Sequence, residues 1–100
     1  MEKRLENITK MENILNRTDE LISEMKKLLE KWDQNQEDFN ELMNYYTGEE
    51  RGKDLEDDRL KVIPQNLPRG ALSEDAVFDA YGNRKDLLIK MIKLGVAGLE

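Results

Sequence analysis

One hundred residues, 38% apolar and 38% charged, make one domain's worth of chain. With no cysteine and no histidine, the chain lacks a thiolate nucleophile, an imidazole base, a Ser-His pairing, a zinc site of the usual N/S type and a disulfide. The net charge of −6 opposes nucleic-acid phosphates, and it is local: residues 1 to 32 are neutral, 33 to 60 carry −7 and 61 to 100 carry +1.

The N-terminal segment Met1-Glu2-Lys3-Arg4-Leu5-Glu6-Asn7 has no apolar core like that of a signal peptide. No stretch approaches the roughly 18 apolar residues that span a bilayer, so a cytoplasmic protein with no membrane partner is expected. Ile8, Met11, Leu15, Thr18, Ile22, Met25, Leu29 and Trp32 then alternate spacings of three and four, the signature of one long helix. Ile14, Leu21 and Leu28 add a second line seven residues apart, giving an apolar face wide enough for the inside of a bundle. Trp32, at the end of the stripe, is expected in the core.

Asp33-Gln34-Asn35-Gln36 is polar enough for a turn, after which Phe39, Leu42, Met43 and Tyr46 resume helical spacing. The preferred reading of residues 1 to 47 is therefore a helical hairpin; one uninterrupted helix is the alternative, because Gln and Glu break nothing. A helix of about 28 residues is roughly 42 Å long, against a radius of gyration of about 13 Å for a compact domain of this size. Either the C-terminal helices or a second copy must cover its face, so a homodimer is an open expectation.

Gly48 and Gly52 flank the end of the second helix and open an acidic, mobile connection through Asp58. Leu60 to Gly70 holds Pro64 and Pro68, which forbid a helix interior, so an extended loop packed by Val62, Ile63 and Leu67 is expected. Ser73 is a good N-cap, with Glu74 and Asp75 in the first turn. The helix it starts carries Ala76, Val77, Ala80 and Tyr81 inward and ends at Gly82; Asn83 caps a last helix with Leu87, Leu88, Met91, Ile92 and Leu94 on its apolar face. The expected fold is thus a single all-α domain: a hairpin over 1 to 47, an ordered loop over 48 to 72 and two shorter helices over 73 to 95.

Tyr45-Tyr46, the acidic stretch and then Leu67-Pro68-Arg69-Gly70-Ala71-Leu72-Ser73-Glu74-Asp75-Ala76-Val77-Phe78 resemble the small bacterial proteins grouped as domain of unknown function 4298. Met11-Glu12 in the opening helix fits the same pattern, and the likeness spans roughly residues 5 to 94. Arg51-Gly52 departs from it, standing where a Trp or similar bulky residue is expected after the Tyr-Tyr pair. The resemblance implies a small all-helical domain and no established activity.

Within Arg69 to Asp75, ordinary structural roles suffice: a left-handed Gly70, Leu72 as a hydrophobic staple, Ser73 as cap, and acids on the helix dipole or paired with Arg69. Ser73 has no group placed to activate it as a nucleophile. Of Tyr45 and Tyr46, about 100° apart on a helix, one is expected to face the core and the other the rim. For calcium, Asp33-Gln34-Asn35-Gln36-Glu37 begins like an EF-hand loop but places Asp38 where Gly is needed and Asn44 where a bidentate Glu is needed. Lys26, Lys27 and Lys31, and Arg84, Lys85, Lys90 and Lys93, read as solvated helix faces, and no phosphate loop or nucleic-acid motif is present.

The expected function is a non-catalytic protein-binding module, a small acidic inhibitor of the immunity-protein kind whose partner is basic, such as a toxin or a nucleic-acid-binding enzyme. Its candidate contact residues are Tyr45, Tyr46, Glu49, Glu50, Asp54, Glu56, Asp57, Asp58, Arg69, Glu74 and Asp75, with no cofactor, metal or catalytic residue. A self-assembling helical module is the alternative, and a magnesium-dependent carboxylate hydrolase a more distant one.

Overall fold

The computed structural model describes residues 1–100 and is all-helical: α1 (Glu2–Tyr46), α2 (Glu49–Arg59), a single 3-10 turn (Gly70–Leu72) and α3 (Glu74–Leu99). No helix is long and apolar enough to cross a membrane. The chain divides into two units, Met1–Asn40 and Glu41–Glu100.

The first unit is helix alone. The turn expected at residues 33–36 is not there; α1 runs through it unbroken from Glu2 to Tyr46, the uninterrupted helix of the alternative reading and not a hairpin. Polar side chains do not by themselves end a helix, and this segment has neither the glycine nor the proline that would. The Gln36 amide instead donates to the Asn40 side chain at 3.1 Å, one turn on. Thr9 and Thr18 turn their hydroxyls back onto the carbonyls of Leu5 and Ile14, at 3.0 and 2.8 Å, so that neither polar group needs another partner. Trp32, expected in the core, is half-buried.

In the second unit α1 ends at Tyr46, and the N–H of Gly48 bonds the Tyr45 carbonyl at 3.1 Å. A Cβ on Gly48 would lie 2.7 Å from the Asn44 carbonyl oxygen, so only glycine allows so tight a reversal. The acidic connection expected after it is helix α2. Glu49 and Glu50 occupy its first turn and Arg59 its last, as the helix dipole favours, and Arg59 binds Glu56 at 2.6 Å. Gly52 therefore lies inside a helix and breaks nothing.

The C-terminus of α2 closes with two bonds, Val62 N–H to the Asp57 carbonyl at 2.9 Å and Lys61 N–H to that of Asp58 at 3.0 Å, which is the Schellman pattern. Its left-handed position is held by Lys61, at φ 61°, and not by a glycine. Gly70, expected in that region, has an ordinary negative φ. In the Pro-containing loop Val62 and Leu67 are exposed and only Ile63 is half-buried, so packing is not its main restraint.

Ser73 caps α3 as expected, its hydroxyl accepting from the Ala76 N–H at 3.2 Å. Gly82 does not end the helix: one interior glycine costs only about 1 kcal/mol, and the apolar run from Leu87 onward carries α3 to Leu99. Asn83 is accordingly a mid-helix residue and not a cap. Of the four side chains expected inward, only Val77 is buried, at 4% exposure, while Ala76, Ala80 and Tyr81 are open.

Candidate protein-binding surface

Two arginines organise the second unit. Arg69 lies at the end of the Pro-containing loop, and its Nε donates to the Asp58 carboxylate at 2.6 Å. Its two terminal nitrogens reach the carbonyls of Gln65 (2.8 Å), Leu67 (3.1 Å), Pro64 (2.8 Å) and Ile63 (3.3 Å). The planar fork thus satisfies the loop's inward carbonyls, which a flexible ammonium would not match. Arg69 therefore pairs with Asp58 and not with Glu74 or Asp75, which sit exposed in the first turn of α3.

Arg51 is the second. Its guanidinium lies 4.6 Å from the centre of the Tyr46 ring, and Nη2 donates to the Leu72 carbonyl at 3.1 Å. The Arg51 Nε is buried with no hydrogen-bond partner. In the sequence Arg51 stands out only as a departure from the family pattern. The signal was its place, five residues past an aromatic side chain and across a helix break.

The two tyrosines do not divide into core and rim. Both are half-buried. The Tyr45 hydroxyl bonds the Asp54 carboxylate at 2.6 Å, a contact that raises its pKa above the ordinary tyrosine value. Burial and the charge on Asp54 push the same way and Arg51 opposes them.

The acidic candidates separate into two groups. Asp54 and Asp58 are half-buried and hold Tyr45 and Arg69. Glu49, Glu50, Glu56 and Asp57 are exposed, and the Arg59 hydrogen bond holds the Glu56 carboxyl below its usual range. No group of three or more carboxylates converges.

Two hollows flank these contacts. One, of about 250 Å³, is walled by Met43, Tyr46, Thr47, Val77, Phe78 and Tyr81. Phe78 and Tyr81 are 66% and 48% exposed beside it, so two aromatic rings from α3 and one from α1 border an apolar cleft open to solvent. Phe78 was not among the expected contact residues, although it follows Val77 directly. The other, of about 440 Å³, lies between Tyr45, Asp54, the loop residues Val62, Ile63, Pro64, Leu67 and Pro68, and Ala71 and Leu72.

A family model described as domain of unknown function (DUF4298) matches residues 8–94. Comparisons with curated proteins and with solved structures return no match.

Proposed function

Since the chain belongs to the family of domain of unknown function 4298, which names no activity, we propose from its surface that it is a non-catalytic protein-binding module. The carrying observation is the apolar cleft bordered by Tyr46, Phe78 and Tyr81, a concentration of exposed aromatic area of the kind that anchors protein interfaces. The exposed acids of α2, Glu49, Glu50 and Asp57, supply the charge that favours a basic partner, as an inhibitor of a toxin or of a nucleic-acid-binding enzyme requires. Asp54 and Asp58, being committed to Tyr45 and Arg69, are supports for this surface and not contacts, which also weighs against a hydrolase built on them.

The test is affinity capture at low salt with the intact chain, with Phe78→Asp and with the double variant Glu49→Lys, Glu50→Lys. A basic protein retained by the parent, lost by both variants and released by salt is the expected result. Retention that neither variant disturbs would exclude this surface.

A further inference from the structure

The first unit, a single helix, has no element of its own to cover its apolar face. Ile8, Met11, Ile14, Leu15, Leu21, Ile22, Met25, Leu28 and Leu29 are between 39% and 60% exposed. Nine large apolar side chains this open along one helix are a surface suited to a stable interface, which takes about 800 Å² from each partner. We infer that this face is covered by a second copy of the chain, packed antiparallel along α1 with its two-fold axis near residue 20.

The register follows from the pattern. In a heptad frame Ile8, Leu15, Ile22 and Leu29 fall at a, and Met11, Thr18, Met25 and Trp32 at d. Antiparallel helices stack a against d, and a centre near residue 20 gives every layer a partner. Ile8 meets Trp32 of the second copy, Met11 meets Leu29, Leu15 meets Met25 and Thr18 meets Ile22. Thr18 is tolerable in that seam because its hydroxyl is already bonded to the Ile14 carbonyl, leaving its methyl to pack.

The flanking positions choose the direction. Antiparallel pairing sets g against g and e against e, which brings Ile14 to Leu28, Leu21 to its own counterpart and Glu12 to Lys26. A parallel, in-register pair would instead set Ile14 against Asp19, Leu21 against Lys26 and Leu28 against Asp33, three apolar side chains facing charges. Charge agrees, since residues 1 to 32 hold seven acids and seven bases and a second copy meets no net repulsion. Two meetings are unfavourable, Asp19 facing its own counterpart and Leu5 facing Asp33 at the end of the seam, and Asp19→Asn tightens the dimer.

This inference stands apart from the basic partner proposed above, and the two fail separately. Sedimentation equilibrium of the full chain should show a monomer–dimer equilibrium, weakened at least about a hundredfold by Leu15→Glu with Ile22→Glu. Orientation is read without touching the seam. The chain has no cysteine, so Glu6→Cys and Glu20→Cys each carry a single spin label on the outer face. At 1.5 Å per residue the antiparallel pair separates the residue 6 labels by about 40 Å along the axis and leaves those at residue 20 level with each other. Equal distances at the two sites, a strict monomer at high concentration, or association indifferent to the double variant would each overturn the inference.

Discussion

The phenol of Tyr45, in the last turn of α1, donates a hydrogen bond to the carboxylate of Asp54, on α2, across 2.6 Å. The contact spans the reversal at Gly48 and holds the two helices at that corner. It needs a protonated phenol, and the folded pKa of Tyr45 is raised above the ordinary value of about 10. The stability it supplies is therefore fully present below pH 10 and is lost as pH rises through the higher folded value. Ultraviolet titration should show a tyrosine ionisation displaced above the ordinary value, and Tyr45→Phe should remove that late step while lowering the melting temperature at neutral pH.

Replacing Arg69 tests the loop. Arg69→Lys keeps the charge opposite Asp58 but cannot address four carbonyls in one plane, and a loss of about 2 kcal/mol is expected. Urea denaturation measures it, and amide exchange should quicken first between residues 60 and 69.

Backbone geometry sets opposite signs for three substitutions. Gly48→Ala drives a Cβ to within 2.7 Å of the Asn44 carbonyl and should cost more than about 1 kcal/mol. Lys61→Gly relieves a left-handed conformation and should gain about 1 kcal/mol. Gly82→Ala, inside α3 with nothing within 4 Å of the new methyl, should gain up to about 1 kcal/mol. Thermal melts of the three variants check all the signs at once.

Ser73→Ala removes the oxygen that accepts the Ala76 N–H and should cost on the order of 1 kcal/mol, whereas Ser73→Asp should keep most of it. Denaturation midpoints of the two variants distinguish a cap from a residue of no structural consequence.

The helical stripes and the Ser73 cap were legible because each is a local pattern, spacing along one helix or a side chain three residues from its acceptor. Helix ends were less so. Residues 33–36 looked like a turn from polarity alone, the acid run after Gly48 looked like a loop, and Gly82 looked like a stop. In each case intrinsic preference was weak and continuing the helix satisfied the backbone. The site was harder still. Arg69 was read against its sequence neighbours Glu74 and Asp75, but the carboxylate that meets it is Asp58, eleven residues upstream and across a loop. Tyr45 with Asp54 and Arg51 with Tyr46 likewise depend on how tightly the chain reverses at Gly48, which composition does not reveal.

Arg69 also governs how the chain meets a protease. Trypsin must draw an arginine side chain into its own pocket before cutting, and this one is spent on a carboxylate and four carbonyls. The loop must open before the Arg69–Gly70 bond can be cleaved, while exposed Lys61 at its other end is held by no such contact. The rate of the Arg69 cut is then a clock for local opening of the loop, readable in the unmodified protein.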